Sequence, residues 1–301
     1  MIVRRPIATG FYSSSPAEAK ELIKSSFLNP HGPGKLPRVR TDGPRRIIAG
    51  ISPHAGYIYS GPIAAHLFYE LAHDGRPETF VIIGPSHGGY LGTAIMKEGI
   101  WQTPLGKVEI DETLAESMMN LGKEEDKSLI VADSWPHERE HSLEVQLPFL
   151  QFLYGEDFKI VPIAVGRSDL DVCRRVGEVV AKAIEKSKQD IIILASTDMT
   201  HYGSMFYGFA PVGSGPIEKV IEWIYETDGK IISAISELNT TKMLDLARKT
   251  TMCGSIPVAI IMEASRVLGA EEVKKLKYAT SYDIQGSVDA IVGYLSAKIT
   301  H

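Results

Sequence analysis

Three runs of this chain are dense in β-branched residues, and each breaks off into Ser, Thr, Pro, Gly or His: Arg46–Ser52, Thr79–Gly84 and Asp190–Ala195. Runs this short and this continuously apolar read as strands buried on both faces. A fourth, Lys159–Val165, ends at Gly166. Helical periodicity fills the gaps between them. Ser60–Ala72 sets Ile63, Leu67, Phe68 and Leu71 on one face, and Leu170–Lys186 does the same with Val172, Val176, Val179, Val180 and Ile184. Ile256–Leu268 continues the pattern. Strands alternating with helices predict an α/β fold, a three-layer α/β/α arrangement around a mainly parallel sheet.

Two stretches predict that the sheet is mixed. Ala94–Trp101 and Gly106–Ile110 flank Gln102-Thr103-Pro104-Leu105, and Tyr278–Ile284 and Val288–Ile299 flank Gln285-Gly286-Ser287. Both read as hairpin-like excursions. His31–Arg45, rich in Pro, Gly and Arg, reads as a long surface loop rather than an interdomain linker. With no internal repeat, residues 1–301 read as one domain.

Bulk properties narrow the function. At 301 residues and 44% hydrophobic, the chain can bury a core without disulfides or structural metal. A formal net charge of −5 argues against nucleic acid or anionic lipid as the main partner. Apolar stretches such as Phe80–Ile83 and Ile191–Ala195 are too short to span a bilayer, and the first residues lack the apolar core of a signal peptide. With only Cys173 and Cys253 present, the expected location is the cytoplasm. Nothing in the sequence bears on oligomeric state.

The chemistry concentrates at strand ends. His54 follows the first run in Ser52-Pro53-His54-Ala55-Gly56-Tyr57, and His87 follows the second in Gly84-Pro85-Ser86-His87-Gly88-Gly89. Asp198 and His201 follow the third in Ser196-Thr197-Asp198-Met199-Thr200-His201. Ligands of open α/β sheets bind outside the carboxyl ends of the strands, so these groups are aimed at one edge. A lone loop histidine is usually a surface or hydrogen-bonding residue; three at strand ends beside Gly or Pro read as a site. Imidazole suits Fe, Cu and Zn alike. Tyr57 and Ser86, beside the first two histidines, are expected to line the pocket.

Cys253 lies in Met252-Cys253-Gly254-Ser255-Ile256-Pro257, ahead of an apolar helix. The positive end of that helix is expected to lower its pKa and favour thiolate. Cys173, on an amphipathic helix beside Arg174 and Arg175, is assigned to packing.

His137-Glu138-Arg139-Glu140-His141 offers a rival. It fits the H-E-x-x-H zinc-peptidase pattern, in which two histidines share a helix face and a glutamate acts as base. Three fixed letters make chance matches common, and Trp135-Pro136 puts His137 at the very start of any helix. Beyond it, Leu143, Leu147 and Leu150 form a core-facing stripe. Glu140, Glu144 and Gln146 read either as a solvated face or, for Glu140 and His141, as groups that orient ligands.

Taken together, Ala8-Thr9-Gly10-Phe11-Tyr12, Pro53-His54-Ala55-Gly56-Tyr57, Gly84-Pro85-Ser86-His87, Glu140-His141-Ser142-Leu143-Glu144, Ser196-Thr197-Asp198-Met199-Thr200-His201-Tyr202 and Met252-Cys253-Gly254 resemble the Memo family. Its prokaryotic members are also called AmmeMemoRadiSam system protein B. The resemblance covers nearly the whole chain. It implies a fold like that of the class III extradiol (LigB-like) dioxygenases, whose non-haem iron is held by two histidines and a glutamate. His54 and His87 match the two histidine ligands, and Cys253 stands where those enzymes have the carboxylate. His201 resembles their acid/base histidine, with Asp198 beside it.

A thiolate in place of carboxylate softens the site, shifts its redox potential and favours copper or zinc more than before. Ring cleavage is therefore not inherited directly. Three functions follow as expectations. The first is a metal-dependent redox enzyme with Fe(II) or copper on His54, His87 and Cys253. The second is a non-catalytic module holding a small molecule or peptide in the same cleft, since the animal relative is described as a motility effector that binds phosphotyrosine peptides. The third is a zinc peptidase at His137 and His141.

Overall fold

A computed structural model describes residues 2–301. Its strands are β1 (Val3–Arg4), β2 (Ile47–Ser52), β3 (Thr79–Pro85), β4 (Thr93–Ile95), β5 (Ile100–Thr103), β6 (Gly106–Ile110), β7 (Val131–Ala132), β8 (Lys159–Val165), β9 (Ile191–Ser196), β10 (His201–Tyr202), β11 (Glu272–Thr280) and β12 (Ile291–Thr300). They join in one sheet along the path β1-β5-β6-β8-β3-β9-β2-β12-β10, with β11 on β12 and β4 bridging β7 and β8. The centre, β6-β8-β3-β9-β2, is parallel. β12 runs antiparallel to β2, β10 and β11.

Each central strand is apolar throughout because both of its faces are covered. Val81, Ile83, Ile193 and Ala195 point into one core, formed with the helices Glu112–Glu125, Leu170–Ser187, Ile217–Ser236 and Ser255–Val267. Phe80, Ile82, Ile192 and Leu194 point into the other, under Pro16–Leu28, Tyr57–Asp74 and Leu147–Tyr154. The result is the expected α/β/α sandwich with a mainly parallel, mixed sheet. Cys173 is buried in the first core, and Leu143, Leu147 and Leu150 in the second.

The excursions differ in detail from expectation. Ala94–Trp101 is not one strand. It divides between β4 and β5, with the break at Gly99, whose φ of +113° favours glycine and whose added Cβ would stand 2.6 Å from the Ile2 carbonyl. The hairpin is β5–β6, its ladder closing at Thr103 opposite Gly106. At the C-terminus, β11 and β12 do pair, but the connection is longer than Gln285-Gly286-Ser287. Thr280 and Asp283 form a reciprocal capping box that starts a short helix, Ser281–Gln285.

That helix also repairs a defect in Tyr57–Asp74. Pro62 lies inside this helix and has no N–H to give the Ile58 carbonyl. Gln285 Nε2 donates to that carbonyl instead, at 2.8 Å. The C-terminal connection is thereby tied to the helix that follows β2. His31–Arg45 carries no helix or strand. No helix among the described residues is long and apolar enough to cross a membrane.

Candidate metal centre

Three parallel neighbours, β2, β3 and β9, end at the same edge of the sheet, and the chain leaving each one supplies the site. His54 leaves β2 two residues past Ser52 and is almost fully buried. Its Nε2 faces Cys253 Sγ at 3.3 Å, and its Nδ1 faces Ser196 Oγ at 3.0 Å. Its backbone N–H donates to Asp198 Oδ1 at 2.9 Å. Burial, with His87 beside it, pulls the imidazole down to about 3, so the ring is neutral at physiological pH.

His87 leaves β3 and is held by one carboxylate. Glu140 Oε2 accepts its backbone N–H at 2.6 Å, and Oε1 lies 2.9 Å from Nδ1. A carboxylate only accepts, so Nδ1 carries a proton, and in the neutral ring Nε2 keeps its lone pair. Burial lowers the His87 pKa, but the Glu140 hydrogen bond and charge outweigh it and the net shift is upward. Burial would raise Glu140; the His87 contacts and the Ser142 N–H instead hold it down to about 2.

Cys253 sits directly ahead of the helix Ser255–Val267. Its Sγ accepts the Asp198 N–H at 3.3 Å. The helix does not make it a free thiolate: burial, then the Asp198 charge, push the thiol well above its ordinary range. In this half-buried setting beside a carboxylate, the sulfur favours the thiol unless a compensating cation lies next to it. Ligand atoms of His54, His87 and Cys253 all lie within 4.8 Å of one another. Two imidazoles and one sulfur around such a space fit Fe, Cu or Zn.

These residues adjoin a cleft of about 590 Å³, lined in part by His54, His87, His141, Asp198 and His201, with Phe11, Tyr59, Phe206 and Tyr207 as aromatic walls. His201 Nδ1 lies 3.0 Å from the Met199 carbonyl and 3.1 Å from that of Thr251. Both are acceptors, so Nδ1 carries the proton in the neutral ring and the lone pair lies at Nε2. Burial raises the Asp198 carboxyl, although His201 pulls the other way. His141 stacks between Phe11, 4.3 Å from centroid to centroid, and His87 at 4.7 Å. Burial and neighbouring His54 bring it down to about 4.

A family model for Memo-like proteins matches residues 4–298. The chain belongs to the Memo family. Among its relatives, a MEMO1 family protein of Methanopyrus kandleri is 39% identical, the alignment covering 97% of this chain and 96% of that one. Those of Methanothermobacter thermautotrophicus and Pyrococcus abyssi are 40% and 44% identical, over 97% and 98% of this chain and 99% and 98% of theirs. An uncharacterised protein of Escherichia coli K12, known from its crystal structure, superposes with a TM-score of 0.56 at 15% identity, over 84% of this chain and all of that one. This last likeness is one of fold.

In this Memo-family chain, other candidates fall outside the cleft. Tyr57 is buried, donating to the Val145 carbonyl at 2.6 Å and packing on Phe149. Ser86 is not among the cleft's lining residues; its N–H donates to Val165. The H-E-x-x-H pair does not share a helix face, because the helix Trp135–Glu138 ends before His141. With Pro136 in its first turn, that helix runs for only four residues, and His137 turns into the core against Trp101. Among the described residues, metal-type ligand atoms cluster at His54, His87 and Cys253 and at His87, Glu140 and His141, and His137 belongs to neither group.

The solvated reading of Glu140, Glu144 and Gln146 also fails, since all three are buried. Glu144 binds Arg4 and Tyr12 and accepts the N–H groups of Ile7 and Ala8, which ties the N-terminal segment beneath the site. Sequence reasoning missed the walls. Tyr59, Phe206, Tyr207 and the Ser287–Ala290 stretch reach the cleft from distant parts of the chain. Only the juxtaposition of β12 and β10 with the β2 end reveals them.

Proposed function

We propose that this Memo-family protein is a metal-dependent redox enzyme acting on a small molecule in the cleft. The observation that carries the reading is the convergence of His54, His87 and Cys253 within 4.8 Å beside a cleft that also holds His201 and Asp198. In this reading the three residues hold Fe(II) or copper, which when bound supplies redox chemistry and open coordination positions for dioxygen and substrate.

The chain's own groups do the rest. Glu140 keeps the Nε2 lone pair of His87 directed away from itself. His201 takes a proton from the substrate at Nε2 and returns it later, as a general base and then acid. Asp198 fixes the His54 backbone and faces the developing charge on His201. Phe11, Tyr59, Phe206 and Tyr207 bind the apolar body of the substrate and exclude water. Two unpaired cysteines suit a reducing compartment, so we place this chemistry in the cytoplasm.

A second reading, binding without turnover, draws on the aromatic walls. The described lining carries no Lys or Arg, so a phosphorylated or strongly acidic ligand meets no fixed cation there.

The deciding experiment is elemental analysis of protein purified without oxygen, wild type beside Cys253→Ser. Near-stoichiometric iron or copper that drops sharply in the variant is the expected result. Metal absent from both after reconstitution overturns the redox reading. Retained small-molecule or peptide binding in a His54→Ala, Cys253→Ala double variant would then point to the module.

A further inference from the structure

A buried chain of hydrogen bonds stands behind His54, and each of its ends rests on a backbone carbonyl. Gln146 Nε2 lies 3.0 Å from the Pro53 carbonyl and 2.9 Å from Ser196 Oγ. The Pro53 carbonyl is an obligate acceptor, so the amide must present its NH₂ group here, and its second N–H goes to Ser196. Ser196 Oγ in turn lies 2.7 Å from the Ser142 carbonyl, another obligate acceptor. Ser196, Gln146 and Ser142 are all essentially inaccessible to water, so solvent does not relieve an unmade bond.

A hydroxyl has one proton and two lone pairs. The proton of Ser196 goes to Ser142, and one lone pair takes the Gln146 N–H. The remaining lone pair faces His54 Nδ1 at 3.0 Å and can only be satisfied by an Nδ1–H.

We infer that Ser196, with Gln146 and Ser142 as its two arms, is a positioning residue that holds His54 as the Nδ1–H tautomer and keeps the Nε2 lone pair on the side of Cys253. On this side of the site a neutral hydroxyl does for His54 what the Glu140 carboxylate does for His87. The two histidines thus reach one space by unlike supports: His54 without an added charge, His87 with a full one. The tautomer follows from hydrogen bonding alone, while its use in holding a metal rests on the function proposed above.

The two claims are separable by experiment. Long-range ¹H–¹⁵N correlation spectra of selectively ¹⁵N-histidine-labelled, metal-free protein report which imidazole nitrogen of His54 carries the proton, with His54→Gln assigning the signal. Wild type is expected to show a protonated Nδ1 and a pyridine-like Nε2. Ser196→Ala is expected to shift His54 toward the Nε2–H form. The same substitution is expected to weaken Co(II) or Cu(II) binding about 10- to 100-fold, the usual effect of removing a group that orients a ligand.

An Nε2–H tautomer in wild type overturns the inference and needs no variant, so a misfolded Ser196→Ala leaves the test intact. An unchanged His54 spectrum in a folded Ser196→Ala also overturns it. A protonated Nδ1 in a wild type that binds no metal would retain the positioning claim and remove the redox reading.

Discussion

Glu140 grips His87 at two points, accepting its backbone N–H at Oε2 and its Nδ1–H at Oε1. The same Oε1 accepts the Ser142 N–H at 2.9 Å, so a single carboxylate fixes both the ring and the loop that carries it. Glu140→Ala leaves two backbone N–H groups and one imidazole N–H without partners. The Ser142 N–H is buried, and stranding it costs about 1–3 kcal/mol, whereas the exposed His87 donors can turn to water at smaller cost. The expected outcome is a destabilised fold and a metal affinity roughly 10- to 100-fold lower, measured by denaturant titration and by competition with a chromophoric chelator. Unchanged affinity in a folded variant would show that His87 needs no such support.

Cys253 makes a prediction opposite to its position in sequence. Burial and Asp198 hold its thiol above the ordinary range, against the pull of the helix terminus. Metal-free protein at neutral pH is therefore expected to alkylate slowly at Cys253, much more slowly than unfolded chain, as followed by mass spectrometry. Cys173, raised to about 12 by burial, should be slower than the unfolded chain too. Rapid labelling of folded Cys253 would show that the dipole of Ser255–Val267 wins after all.

How much of this was legible in the sequence depends on the range of the forces involved. The central strands were readable because burial on both faces leaves a continuous apolar run, as in Ile191–Ser196. His54, His87 and Asp198 were readable because parallel strands in one sheet must end at one edge. The Cys253 charge state was not, because it depends on what packs over the sulfur rather than on the helix that follows. Nor was the fate of His137, whose orientation is set by Trp101 and Arg4 from remote segments. Tyr57 looked like a pocket residue by adjacency, yet its ring goes to the core while Tyr59, two residues along the helix, faces the cleft.

Asp228 gives the stability a pH signature. It is buried in Ile217–Ser236, accepting from Thr200 Oγ1 at 2.6 Å and Tyr278 Oη at 2.6 Å. Burial outweighs these bonds and raises its pKa from 3.8 to about 6. The folded value is the higher, so its contribution is complete below pH 3.8 and lost as pH rises through 6. The shift corresponds to roughly 3 kcal/mol. Relative to wild type, Asp228→Asn is expected to gain stability by up to about that amount between pH 4 and pH 7. Denaturant titrations of both proteins at the two pH values check this; a constant difference would mean that Asp228 is ionised throughout.

Gly254 is the residue on which the approach of Cys253 depends. A Cβ there would stand 2.5 Å from Thr197 Oγ1 and 2.6 Å from the Ser196 carbonyl. Its N–H also donates to Thr197 Oγ1 at 3.0 Å, closing the start of the helix onto the end of β9. The backbone carbonyl cannot yield without moving β9, so the helix start must retreat. Gly254→Ala is therefore expected to cost about 1–3 kcal/mol, the usual range for overpacking. Because Cys253 precedes it directly, the retreat carries Sγ away from His54, and metal affinity is expected to fall with stability. The control is Gly229→Ala, where a Cβ meets nothing within 4 Å; inside the helix Ile217–Ser236 it should gain up to about 1 kcal/mol from helix propensity and leave metal affinity unchanged. Thermal melts and metal titrations of the two variants check the pair. A Gly254→Ala protein with native stability and native affinity would show that Cys253 is held by contacts other than this close approach.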